Sequence, residues 1–92
     1  MSKSLLSEEK VCWRCGTTQG LHRHHIFPGA LRNASEKYGC WVWLCWPHHN
    51  GSNEGVHFDR QFDNELRRIC QRKFEEVYGH DEFMRIFKRN LL

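Results

Sequence analysis

The sequence predicts a small α+β domain, and three observations lead to that prediction. The chain has 92 residues, which suits one domain with a thin core, because a chain of this length buries only about two-thirds of its unfolded surface. The apolar, aromatic-rich run at residues 40–45 (CWVWLC) predicts a buried strand. From Phe58 onward, apolar residues recur every three or four positions, which is typical of one face of an amphipathic helix.

The first half of the chain is predicted to hold short elements separated by turns. Residues 1–10 are polar and are expected to be loosely held, and residues 11–16 (VCWRCG) predict a tight turn. Residues 21–27 predict a short strand that ends at Pro28, because Pro-Gly interrupts regular structure. Residues 30–39 predict a polar loop or a short helix before the 40–45 strand.

The second half is predicted to be helical. Pro47 stands where a brief helix would open after the second strand, and Gly51 interrupts that helix. The apolar stripe from Phe58 predicts about five helical turns ending at Gly79. Asp81 is expected to cap a last short helix, and residues 58–92 are expected to pack as a scaffold over the first half.

Composition limits the class of protein. Five cysteines are an odd number, so complete internal disulfide pairing would leave one thiol over. Residues 1–10 lack the apolar segment of a secretory signal, and no stretch reaches transmembrane length. We therefore expect a reduced, cytoplasmic protein without a membrane partner, in which cysteine pairs more often bind metal than form disulfides. The net charge of +3 permits nucleic-acid binding without arguing for it.

Two ligand pairs, each with two intervening residues, predict a structural zinc site formed by Cys12, Cys15, Cys45 and His48. Zinc prefers four nitrogen or sulfur ligands in a tetrahedron, and two tight turns can face one ion. The alternatives are a disulfide or buried free cysteines. Cys70 falls on the apolar face of the long helix and is predicted to be core.

Adjacent histidines lie between the two cysteine motifs. In a strand, His24 and His25 would point to opposite faces, so one imidazole can bind a metal while its neighbour acts as a base. Imidazole can exchange protons near neutral pH, which suits general-base catalysis. The alternative is a pair of partly exposed histidines with no shared role.

The order of these motifs resembles the HNH endonucleases, which have the ββα-metal (His-Me finger) fold. The similarity runs from about Val11 to His57. The stretches SEKYG, VWLC-x-x-HH, GVHF and RIFKRN also look like those of small HNH proteins of bacteriophages and prophages. The resemblance implies a single HNH nuclease-like domain over residues 1–92. Its zinc knuckles and ββα core would span about residues 11–57, with C-terminal helices over about residues 58–92.

The resemblance also implies roles for individual residues in DNA phosphodiester hydrolysis. His25 corresponds to the general base, and His24 and His49 correspond to ligands of one catalytic divalent cation, Mg²⁺, Mn²⁺ or Ni²⁺. The last ligand is predicted to be His57, because imidazole is the better ligand for a transition metal. Asn53 is the alternative, because it lies four residues after His49, a spacing that keeps two side chains on one helix face. The family's middle Asn is missing here, so we expect a backbone carbonyl to orient His25.

DNA is the partner that the resemblance implies, with phage packaging or recombination proteins as further partners in a bacterial host cell. Arg23, Arg32 and Lys37 are expected to contact phosphates, which would confer affinity and salt dependence rather than sequence preference. The alternative function is a non-catalytic, zinc-stabilised DNA-binding module.

Overall fold

A two-stranded antiparallel sheet and four α-helices make up the described part of the chain, residues 3–50 and 59–92 of the computed structural model. In chain order the elements are β1 (Leu21–His25), a 3-10 turn (Gly29–Leu31), α1 (Arg32–Lys37), β2 (Trp41–Cys45), α2 (Trp46–Asn50), α3 (Arg60–Tyr78) and α4 (His80–Phe87). The prediction of a small α+β domain is therefore confirmed. Among the described helices, none is long and apolar enough to cross a membrane.

The register of the sheet decides which side chains share a face. His24 lies opposite Val42, and His25 lies opposite Trp41. Because successive strand residues point to opposite faces, His22 shares a face with His24, while His25 points the other way. Val42 is fully buried, and His24 is only 4% exposed, so the face that carries His22 and His24 is turned toward the interior.

The connection between the strands is held by Ser35, a buried residue of α1. Its hydroxyl accepts a hydrogen bond from the Phe27 backbone N–H at 3.2 Å and donates to the Cys40 carbonyl oxygen. The Ile26 N–H also donates to the Cys40 carbonyl oxygen, at 2.9 Å, which continues the strand pairing beyond β1. These bonds fix α1 at the end of the sheet that carries His25.

The N-terminal segment packs across the turn that leads into β2. The Leu5 N–H donates to the Gly39 carbonyl oxygen at 2.8 Å, and Leu5 and Leu6 pack against the core. Gly39 has a φ of +75°, and a Cβ at this position would lie 2.3 Å from the Lys3 carbonyl oxygen, so only glycine fits. The prediction that residues 1–10 are loosely held is therefore wrong for Leu5 and Leu6, because both leucines find apolar partners.

The two C-terminal helices meet at Gly79. Asp59 caps α3 by accepting a hydrogen bond from the Phe62 N–H at 3.1 Å, and α3 ends at Gly79, as predicted. Gly79 adopts a φ of +92° and directly precedes α4. The prediction that Asp81 caps α4 is wrong, because this turn starts the helix at His80 and leaves Asp81 in its first turn.

The core lies between the sheet and the inner faces of α3 and α4. Phe74 is fully buried, and its ring lies 4.7–5.7 Å from those of Tyr38, Tyr78, Phe83 and Phe87. Among the described residues, the buried apolar side chains are Cys12, Ile26, Phe27, Cys40, Trp41, Val42, Leu44, Cys45, Phe62, Leu66, Cys70, Phe74, Phe83 and Phe87. The prediction that Cys70 is a core residue is confirmed. Hydrogen bonding with Cys40 and burial raise the pKa of the Cys70 thiol, so it stays neutral.

Candidate metal centres

The four predicted zinc ligands lie together. One ligand atom from each of Cys12, Cys15, Cys45 and His48 falls within 4.8 Å of the other three. The Cys15 and Cys45 sulfurs are 3.7 Å apart, and the His48 Nδ1 is 3.7 Å from the Cys12 sulfur and 3.1 Å from the Cys45 sulfur. Two thiolates on a tetrahedral ion with bonds of about 2.3 Å would be roughly 3.8 Å apart. The cluster can therefore hold a metal ion such as zinc.

Local backbone bonds shape the first half of this cluster. The Gly16 N–H donates to the Cys12 carbonyl oxygen at 2.9 Å, which closes a turn around the Cys-x-x-Cys pair, and Gly16 has a φ of +78°. The Trp13 N–H donates to the Trp43 carbonyl oxygen at 2.8 Å. This bond ties the turn to β2, whose last residue, Cys45, begins the second ligand pair.

The electrostatics of the cluster favour a bound cation. Burial alone would raise the pKa of Cys12, but hydrogen bonds to backbone groups of Cys45, Cys15 and Arg14 lower it to about 6. Burial raises the pKa of Cys45 to about 11, and the neighbouring Cys12 and Cys15 sulfurs add to that shift. One thiolate forms readily and opposes the next, so a divalent cation would be needed to neutralise the set. All five cysteines are free thiols, so the disulfide alternative is not observed.

A second group of histidines lies on the other side of α2. The His49 ring centroid is 5.2 Å from that of His24 and 5.4 Å from that of His22. The Nδ1 atoms of His22 and His49 are 3.2 Å apart. The structure thus brings the predicted ligands His24 and His49 together, and it adds His22, which the sequence interpretation missed. The alternation of strand residues could have identified His22, because it lies two positions before His24.

The adjacent residues His48 and His49 serve different clusters because of helix geometry. Successive helical residues differ by about 100° around the axis, since a turn holds 3.6 residues. On α2, His48 consequently faces the cysteines, while His49 faces β1. A metal ion at the cysteine cluster would anchor the same helix that presents His49 to His24.

His25 lies in a different environment, beside a carboxylate. Its Nε2 is 3.3 Å from the Glu36 Oε1, and the Arg23 guanidinium donates to both Glu36 oxygens at 2.8 and 3.0 Å. The Arg23 guanidinium also lies over the Trp41 ring, 3.9 Å from its centroid. Burial alone would raise the pKa of Glu36, but the hydrogen bonds from Arg23 and His25 outweigh it and hold that pKa below its usual range.

Glu36 is a second residue that the sequence interpretation missed. A carboxylate on α1, rather than the expected backbone carbonyl, faces the His25 ring. Glu36 lies in the stretch SEKYG, which resembles small phage HNH proteins but carries no sign of a contact with His25. Its spacing from His25 along the chain gives no indication of contact, because the two meet only when α1 packs at the end of the sheet.

The other predicted site residues are the last cation ligand and three basic residues. His57 and its alternative, Asn53, lie outside the described residues. Arg23 is held by Glu36, whereas Arg32 and Lys37 are exposed on α1. The assignment of these three cations to phosphate contacts stays a prediction.

Comparison with protein-family models, with curated proteins and with solved structures gave no match.

Proposed function

We propose that this protein is a metal-dependent endonuclease of the HNH type that hydrolyses DNA phosphodiester bonds. The observation that carries the proposal is the placement of three histidines. His24 and His49 bring their rings within 5.2 Å on one face of β1, and His25 points to the opposite face toward a carboxylate. An antiparallel strand pair followed directly by α2 is consistent with the ββα-metal arrangement that the resemblance implies.

The histidine group suits a divalent cation. His24 is 4% exposed, and a buried imidazole that faces a second imidazole is a typical partner for a metal ion. His24 and His49 would hold the cation, and His57 would complete the set. When bound, such a cation would stabilise the negative charge that develops on the scissile phosphate and its leaving oxygen.

His25 is the proposed general base. An ionised Glu36 can only accept, so the Nε2 of His25 must carry the proton in their hydrogen bond, and in the neutral ring Nδ1 then has the free lone pair. That nitrogen can take a proton from water as the water attacks the phosphorus. Removing a general base typically slows a reaction about 10²–10⁴-fold.

Supercoiled-plasmid nicking in Mg²⁺, Mn²⁺, Ni²⁺ or EDTA tests the proposal. We expect ion-dependent nicking by the wild type and its loss in His25→Ala, with bound zinc unchanged. His80→Ala is the matched control, because His80 is an exposed histidine on α4 that pairs with Glu75. If the folded, zinc-loaded wild type fails to nick the plasmid with every one of these ions, the proposal is contradicted and the alternative DNA-binding module is favoured.

Glu36 is the proposed positioning residue for His25. Glu36→Ala should lower kcat on the order of 10-fold or more with little change in KM, since the ring would lose its acceptor. Glu36→Gln should recover most of the rate, because its amide oxygen can still accept from Nε2. Equal loss in both variants, or a change confined to KM, would instead indicate a structural role through Arg23.

A further inference from the structure

His22 has no role in the proposed function, although it lies in the same histidine group. It shares the inner face of β1 with His24, and its Nδ1 is 3.2 Å from the Nδ1 of His49. Its ring meets that of His49 edge-on, with an interplanar angle of 78°. His49 therefore has an imidazole neighbour on each side, one from each of two alternate β1 positions.

The Nδ1 atoms of His22 and His49 are close enough to share a proton or a metal ion. Two protonated nitrogens at this distance would repel each other, so the pair needs either one shared proton or one shared cation. Two nitrogen ligands with bonds of about 2.0–2.1 Å lie roughly 2.9 Å apart on an octahedral ion and about 3.4 Å apart on a tetrahedral one. The observed 3.2 Å falls between these values.

We infer that His22 is a further ligand of the second cation, so that His22, His24 and His49 contribute three imidazoles to the site. The inference rests on the proposed function for the cation site at His24 and His49, but not on catalysis. Imidazole ligands suit transition metals, whereas Mg²⁺ prefers oxygen ligands and retains its water. The site should therefore bind Ni²⁺ or Co²⁺ more tightly than Mg²⁺.

Calorimetric titration of the zinc-loaded protein with Ni²⁺ tests the inference. The wild type should bind one Ni²⁺ in addition to its zinc, and His22→Ala should weaken that binding by more than about 100-fold. Loss of a neighbour that only hydrogen-bonds to a ligand typically costs about 10–100-fold, so a smaller effect would overturn the assignment. His80→Ala, which removes a histidine remote from the site, should leave Ni²⁺ affinity unchanged.

Two further measurements keep the test decisive. Zinc content and thermal unfolding of His22→Ala establish that the variant is folded, and His22→Gln repeats the experiment with a side chain of similar size. Binding of no Ni²⁺ by the wild type would overturn the inference. Tight binding that depends on His22, in a protein that never nicks DNA, would support the site and reject the nuclease instead. If a His22→Ala variant nicks DNA and binds Ni²⁺ with wild-type affinity, the nuclease is supported and His22 is rejected as a ligand.

Discussion

Substituting Cys15 by serine should separate the contribution of the metal to stability from that of packing. Cys15 is the exposed member of the predicted zinc set, whereas Cys12 and Cys45 are 2% and 5% exposed. Serine is similar in size and a poor zinc ligand, so the substitution removes one ligand and little buried apolar surface. A loss of stability in this variant would therefore report on metal binding.

The expected magnitude follows from the size of the site. Structural zinc contributes about 10–16 kcal/mol in small zinc domains, so one of four ligands accounts for roughly 2.5–4 kcal/mol. For a domain of this length, 1 kcal/mol shifts Tm by about 4–8 °C. Cys15→Ser should consequently lower Tm by roughly 10–30 °C and weaken zinc retention during dialysis.

Zinc quantification and thermal unfolding by circular dichroism provide the assay. A chelator should lower the Tm of both proteins, and Cys15→Ser should lose its zinc at a lower chelator concentration than the wild type. Thr18→Ala, an exposed substitution in the same turn region, should match the wild type. A Cys15→Ser protein with wild-type zinc content and Tm would refute the four-ligand site.

The remaining predictions concern the core and acid stability. Phe74→Ala should reduce the free energy of unfolding, measured by urea denaturation, by about 3–5 kcal/mol, because its ring contacts four other aromatic rings. Val77→Ala, at a 57% exposed position, should change that free energy by less than about 0.5 kcal/mol. Equal effects would contradict the assigned inner face of α3. The contacts with Arg23 and His25 hold the pKa of Glu36 below its usual range in the folded state. The stability that these contacts contribute is fully present above the unfolded pKa of about 4.3, and it is lost as the pH falls through the folded pKa. The stability difference between the wild type and Glu36→Gln should shrink over that window in acid titrations, and a difference that grows with acidity would contradict the assignment.

Local sequence patterns were sufficient for the features whose physics is local. The spacing of Cys12 and Cys15, and of Cys45 and His48, predicts two turns that can each present two ligands, and the structure brings both pairs together. The helix over Arg60–Tyr78 follows from its apolar period and from Gly79. The alternation of strand residues likewise placed His24 and His25 on opposite faces of β1.

Side-chain periodicity was less reliable for deciding burial. Ile69 and Val77 belong to the predicted apolar stripe of α3, yet they are 38% and 57% exposed. Gln71 is fully buried instead, because its amide donates to Glu75 and Asn90 and its carbonyl oxygen accepts from the Leu91 N–H. The burial of Gln71 thus depends on contacts with the C-terminal segment, which no local pattern reports.

The sequence by itself determined the ligand pairs, the two strands, the long helix and the glycine that ends that helix, because each depends on residues near one another in the chain. Only the tertiary structure decided that His22 joins His24 and His49 and that Glu36 faces His25. Those contacts arise from the register of β1 against β2 and from the packing of α1 and α2 at the sheet. Such long-range geometry is set by the burial of the whole core rather than by the spacing of any one motif.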